Sequence, residues 1–520
     1  MRRRTFIKTT GILGAGLALK PSFMHAAALP NPAPLNSEQA LKRLIDSALK
    51  RGAEYADARY CIERNQSIQV RKDTVYSITD SEDAGFSLRV YKNGQWGFSA
   101  AGESDAFDAG RLAEYACSAA EDAGSIKSIP FTAEGRLAKK APDWITPHER
   151  DPFTVPMEEK IEFLLSILRP AIAGSKIAYA VSNLFETKKR TLYASSLGGL
   201  VHQTFITAWP NYALTAFDQR HGRIDSVTGM TEPLGIGYEI TKRIPFETEI
   251  WRSMDLVEEL QAAKPVVPGD YDIIMSPSHL WRVLFETLLP HLDSWSIAGL
   301  DHERQGPSLF EDGVKGARVA SAPLLTLSYD GNLPAGLASC GWDDAGRPAV
   351  KGTLLKGGVI QDPPGSDELA GGTYPWKESV TRAAGWQTAP RFAMPNIILN
   401  PSPEGGGIDR MIADVERGIL LEGRGPIRRD AGGRLFRAGA QVAWLIEKGK
   451  ATRILRDVAY ESSVSYFWRK LEALGGAKSL GIGGELSPAR TYPNWVLPFS
   501  VAVPPALFRG MAVSSDAETR

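Results

Sequence analysis

The chain has 520 residues, 43% hydrophobic and 23% charged, an ordinary globular composition long enough for two or three domains with sizeable cores. Lysine plus arginine and aspartate plus glutamate number 60 each, so the formal net charge is zero. That balance lacks the basic excess or stripe of a nucleic-acid binder, and the local run 423–434 (GRGPIRRDAGGR) reads as a solvated loop.

At the N-terminus Arg3-Arg4-x-Phe6-Ile7-Lys8 precedes a mildly apolar run, and Ala26-x-Ala28 offers small residues for cleavage. Residues 1–28 read as a twin-arginine export signal, which predicts a periplasmic or extracellular mature protein. The apolar run is shorter than the roughly 20 residues a membrane helix needs. No comparable stretch follows, so no membrane span is expected in the mature chain. The three cysteines, Cys61, Cys117 and Cys340, have no metal-binding spacing. Buried thiols or one disulfide are both open.

Residues 37–52 predict a helix with Leu41, Leu44, Ile45, Ala48 and Leu49 on one face, ended by Gly52. Strand patterns follow at 56–63, 67–79 and 85–100, the last with Asn93-Gly94 as a hairpin turn. A second helix starts at Ser104. The first domain, 37–125, is therefore helix, antiparallel sheet, helix. A Pro- and charge-rich connector leads to a middle segment, 150–262. There a helix over 157–168 is ended or kinked by Pro170, and strands run from Ile177 to Asp218. Residues 268–513 form the last, β-rich part. It opens with a buried strand, Tyr271 to Met275, and a helix with Ser276 as cap and Pro277 in its first turn, stopped by Pro290. Hairpins are expected at 352–362 and 441–455, a helix at 408–418 ended by Gly418, and a long loop from Pro363 to Pro390. The Gly-rich run 475–487 reads as a loop without phosphate-cradle context.

This order of parts resembles the TldD/PmbA family of metallopeptidases, formerly called modulators of DNA gyrase, from about residue 37 to about 513. The resemblance rests on GAEYADARY at 52–60, the strand 85–100, the block 308–362, IDRMIADVERGILL at 408–421 and AWLIEKGK at 443–450. It implies an α+β fold: an N-terminal helix–sheet–helix domain followed by a β-rich C-terminal domain. Active members carry His-Glu-x-x-x-His on the helix after the Tyr271–Met275 type of strand, and a C-terminal cysteine as third zinc ligand. Zinc needs about three protein donors and an open position for water, and a carboxylate takes that water's proton. Histidines five residues apart need some departure from a plain helix to meet.

Carried over, the first histidine falls on Phe285, the glutamate on Glu286, the second histidine on Pro290 and the cysteine on Arg490. Only the base, Glu286, is retained, and neither Phe, Pro nor Arg donates a lone pair to zinc. No metal or cofactor is therefore expected. A rewired zinc site from His291 and Asp293 is the alternative. His279 lies seven residues from Glu286, roughly 10 Å along a helix, too far to share an ion. Trp281, Trp295 and Trp495 fall beside the ancestral site with Arg490, and are candidate substrate-binding residues. In this family a metal-bearing and a metal-free chain can pair. The resemblance thus implies a metal-less subunit of a peptide-processing assembly, with a TldD-like partner or as a homodimer. An active metallopeptidase with replaced ligands and an exported peptide- or glycan-binding protein remain alternatives.

Overall fold

The apolar spacing of Leu41, Leu44, Ile45 and Ala48 folds as read: helix α1 spans Ser37–Lys50 and buries all four. The structure, a computed structural model, describes residues 37–103, 107–123, 131–173, 176–219, 222–298, 308–310, 316–365, 380–486 and 497–515. Strands β1 (Tyr55–Arg71), β2 (Thr74–Lys92) and β3 (Gln95–Gly102) follow, then α2 (Ala109–Asp122). The run read as one strand at 67–79 turns at Lys72, where φ is positive, and its later part opens β2; its first part, to Arg71, and the run at 56–63 are one continuous strand. No turn residue with positive φ lies between them, and β1 pairs with β2 across the whole length. The Asn93-Gly94 turn is present, both residues having positive φ. Helix α2 begins later than Ser104, with the Asp108 side chain accepting from the Arg111 amide as its cap.

A short strand β4 (Trp144–Ile145) precedes α3 (Met157–Ala173), β5 (Ile177–Ser195), β6 (Leu200–Asp218) and β7 (Arg223–Thr228). Pro170 does not end α3: the helix runs one further turn, to Ala173. Strand β5 pairs antiparallel with β1 and with β6, so the described strands from 55 to 228 make one sheet in the order β3-β2-β1-β5-β6-β4, with β7 beside β6. Helices α4 (Ile240–Arg243) and α5 (Phe246–Ala262) complete this part.

The pleat sorts the sheet's two faces. Ala58, Tyr60 and Ile62 of β1 pack with α1 and α2, whereas Ile68 and Val70 of the same face pack with α3 and α5. All four helices thus cover one face. The opposite face meets the C-terminal part: Arg59 Nη2 donates to the Thr388 carbonyl at 2.8 Å, and Lys189 Nζ donates to the carbonyls of Ala383 and Ala384.

The C-terminal part holds two larger sheets. One is centred on β9 (Gly269–Met275), with β8 (Lys264–Pro265) at its edge; β9 pairs parallel with Arg417–Glu422 and antiparallel with Ala506–Ser515. The other joins Leu327–Asp330, Asn396–Leu399, Phe499–Val503 and Gly481–Glu485. Helix α6 (Pro277–Val283) and its continuation lie between them, in the largest apolar core. Two readings change here. The helix at Ile408 ends at Ala413, and Gly418 sits inside the strand Arg417–Glu422. The Gly-rich run contributes the strand Gly481–Glu485. The loop 363–390 lies partly outside the described residues, as do the export signal and residues 301–303. Cys61, Cys117 and Cys340 are free thiols, the first two buried. No described helix is long and apolar enough to cross a membrane. The fold is α+β, helix–sheet–helix followed by a β-rich C-terminal part.

Under α3, Lys160 Nζ donates to Glu186 and, at 2.5 Å, to Gln66 Oε1, with both charged side chains 1% exposed. Burial pushes the Glu186 carboxyl up to about 7, against the pull of Lys160. Breaking such a pair leaves an uncompensated buried charge. Lys160→Met should therefore lower unfolding free energy by roughly 3–5 kcal/mol in denaturant titration. Lys160→Met/Glu186→Leu should recover most of that loss.

Candidate functional site

Ser276 precedes Pro277, whose missing N–H costs nothing in a first helical turn, and α6 starts there. The helix does not stop at Pro290. After Val283 the backbone widens into a π turn, Leu284–Leu288, in which the Leu289 N–H bonds to the Leu284 carbonyl. A last helical turn, α7 (Leu289–Leu292), carries Pro290 within it. The Thr287 hydroxyl donates to the Val283 carbonyl at 2.6 Å, an added bond at the start of the widened turn. An i→i+5 closure stacks residues five apart on one side of the helix. Positions 285 and 290 are such a pair. The departure from plain helix that a five-residue metal spacing requires is therefore present here.

The donors are not. Phe285 packs against Trp281 and Phe499, with ring centroids 6.2 and 5.5 Å away, so apolar rings fill the space beside the turn. Glu286 lies half-buried on the π turn. His291 is 3% exposed and its Nε2 donates to the Gly433 carbonyl at 2.8 Å. The Asp293 carboxylate caps the short helix α8 (Ser294–Ile297), accepting from the amides of Trp295 and Ser296. The two residues of the rewired alternative are thus engaged by backbone groups. Among the described residues no three His, Cys, Asp or Glu side chains converge in a metal-binding group. His279 is fully engaged too: Nδ1 donates to the Gly423 carbonyl at 3.0 Å, and Nε2 accepts from the Tyr460 hydroxyl at 2.9 Å. Burial holds both imidazoles below their ordinary pKa, His279 at about 4. The residues at this helix do not fit a zinc ion.

Trp281 is 1% exposed, and its indole N–H donates to Glu232 Oε1 at 3.0 Å. Arg424 binds Glu232 through two nitrogens and reaches Glu485 Oε2 at 3.3 Å. Its guanidinium sits 5.0 Å from the Trp281 ring centroid and 5.4 Å from that of Trp209 on β6. Burial pushes the Glu232 carboxyl up while Arg424 pulls it down. The run 423–434 is therefore not simply a solvated loop, since Arg424 is largely buried within it. No motif spacing marks Glu232, Arg424 or Glu485 in the sequence. Gly483 admits the Trp281 ring: a Cβ there would lie 2.2 Å from Trp281 Cγ. Trp295 lies on α8 with the Arg391 guanidinium 5.6 Å from its ring centroid, and its indole N–H has no partner among the described residues. Arg490 and Trp495 fall outside the described residues.

Solved structures share this architecture. A modulator of DNA gyrase from Thermotoga maritima matches with TM-score 0.71 and 16% identity, over 92% of this chain and 100% of that one. TldE from Thermococcus kodakarensis matches with TM-score 0.67 and 15% identity, over 92% and 100%. The sequence model of the PmbA/TldA metallopeptidase C-terminal domain matches residues 268–515, and that of domain 1 of the same metallopeptidases matches 56–123. A metalloprotease of Methanothermobacter thermautotrophicus is 26% identical over 434 residues, 83% of this chain and 90% of that protein. A TldD-homologous metalloprotease of Haemophilus influenzae is 23% identical over 86% and 90%. The chain belongs to the TldD/PmbA metallopeptidase family.

His279 gives this helix an acid-sensitive anchor. Its folded pKa lies below the unfolded value of about 6.5, so the unfolded chain binds more protons between the two. The anchor's contribution is whole above pH 6.5 and is lost as pH falls towards 4, which thermal unfolding across that window measures. The His279→Gln chain, which keeps hydrogen-bonding capacity without titrating, should show a shallower slope. Separately, Gly483→Ala should cost about 1–3 kcal/mol, because Trp281 must shift in a packed core.

Proposed function

We propose that this chain is a metal-less, peptide-handling subunit of a TldD/PmbA-type assembly, and that it does not itself hydrolyse peptides. One observation carries the reading. The helix keeps the π turn that aligns positions 285 and 290, yet those positions hold Phe285 and Pro290, with Phe285 packed between Trp281 and Phe499. The carboxylate of Glu286 persists on the turn without imidazoles at the two inherited positions. A base without a water-activating ion contributes little to amide hydrolysis at neutral pH. The likeness to relatives described as metalloproteases supports a proteolytic context. The likeness to TldE supports a partnered role. The rewired site is disfavoured by His291 and Asp293, whose donors serve backbone groups.

The reading includes export by the twin-arginine route with a TldD-like partner, directed by Arg3 and Arg4. Elemental analysis of the purified mature chain is the direct test. Zinc well below one per chain, and peptidase activity at background in both the parent and Glu286→Gln, are the expected results. Stoichiometric zinc together with activity abolished by Glu286→Gln would overturn it.

A further inference from the structure

The sheet face turned away from the helices forms the floor of a cleft of about 720 Å³, roofed by the loops 337–344 and 382–388. None of residues 281–295 lines it, while Leu486, Leu497 and Pro498 do. Its chemistry can be read by asking what each wall leaves available to a ligand.

The charges are already spoken for. Lys189 bonds two carbonyls, and Arg382 Nη1 donates to the Pro498 carbonyl at 2.8 Å. Asp343 accepts from the amides of Ala345, Arg347 and Thr381, and Asp344 from that of Ala383. Asp83 accepts from the Trp386 indole, Glu63 from Asn65, and Glu186 is held by Lys160 on the far face. Glu63 and Asp83 keep their charge, Asp83 at an exposed position, and the remaining polar side chains of the lining are neutral. The side chains of Ser67, Thr79, Ser81, Thr207 and Gln387 line the cleft and have no hydrogen-bond partner among the described residues. Aromatic rings stand among them: Phe185, Phe205, Trp342 and Trp386. Trp386 reaches the floor because Gly85 lies beneath it; a Cβ there would sit 2.3 Å from the indole.

The floor confines main-chain recognition to its outer edge. Strands β1 and β5 are paired on both sides, so their N–H and C=O groups are consumed in the ladder. A ligand lying over β1 and β5 meets side chains only, whereas β2 from Thr74 to Ala84 has no second strand partner among the described residues and offers an open main-chain edge. Uncharged donors and acceptors interleaved with flat apolar rings match a molecule whose rim is hydroxyl and whose faces are C–H. We propose that this cleft binds a neutral oligosaccharide, held by the free hydroxyl and amide side chains of the sheet and stacked on Phe205 and Trp342.

Calorimetric titration of the full chain with cellohexaose, maltohexaose and the hexamer of N-acetylglucosamine tests this. A parallel titration uses an acetylated, amidated hexapeptide of glycine, serine and asparagine. Saturable binding of at least one sugar is expected, weakened about tenfold or more by Phe205→Ala or Trp342→Ala and blocked by Thr207→Trp. Circular dichroism checks the folding of each variant. Gln387→Ala, at an exposed loop position, keeps the test open if the buried variants do not fold; it should weaken binding a few-fold. No binding of any of the three sugars at millimolar concentration overturns the proposal. So does a peptide that binds as tightly as the best sugar, or binding indifferent to every folded variant. Zinc content is read independently, so either outcome here leaves the metal-less reading to its own test.

Discussion

One backbone hydrogen bond, from the Leu289 amide to the Leu284 carbonyl, sets the geometry on which the candidate site depends. It converts one turn of helix from i→i+4 to i→i+5 closure, and so decides which side chains share a side. Such turns are rare and occur mostly at functional positions, because a widened turn loses packing along its axis. Here the widened turn carries Phe285 and Pro290, neither of which can ligate a metal. Its present supports are apolar and local: the Thr287 hydroxyl on the Val283 carbonyl, and the rings of Trp281, Phe285 and Phe499. Pro290 is compatible with this arrangement, since a residue lacking an N–H sits most easily where the regular ladder is already interrupted.

The charges around the turn pair with one another within the chain. A dication removed from a buried pocket leaves either a cavity or uncompensated carboxylates, both destabilising. In this chain the neighbouring charges form a closed set: Glu232 and Glu485 with Arg424 between them, and the Trp281 indole completing the first carboxylate. The two histidines nearest the turn are held neutral by burial, with ring nitrogens aimed at backbone or hydroxyl partners.

Much of this was legible in the sequence, and the failures have physical causes. Helices α1 and α2 and the hairpin at Asn93-Gly94 follow from apolar spacing and turn chemistry, which are local. The loss of histidines at 285 and 290 is visible in the letters themselves. The continuity of β1 was hidden because Arg64, Asn65 and Gln66 read as a break; what keeps them extended is pairing with both β2 and β5, a non-local effect. Pro170 was read as an end or a kink and Pro290 as an end, yet both helices run past them. Arg424 was the most instructive miss. Within a run of glycines and arginines it looks like a solvated charge, and only folding brings Glu232, some 190 residues earlier, to meet it.

That same guanidinium has a mechanical meaning. It is gripped by an indole from the first sheet, Trp209, and by another from the C-terminal helix, Trp281. Planar cation and flat rings slide poorly past one another once desolvated, so the two halves of the chain are riveted at this point. Through this one cation the long strand β6 and the helix α6 are in continuous contact.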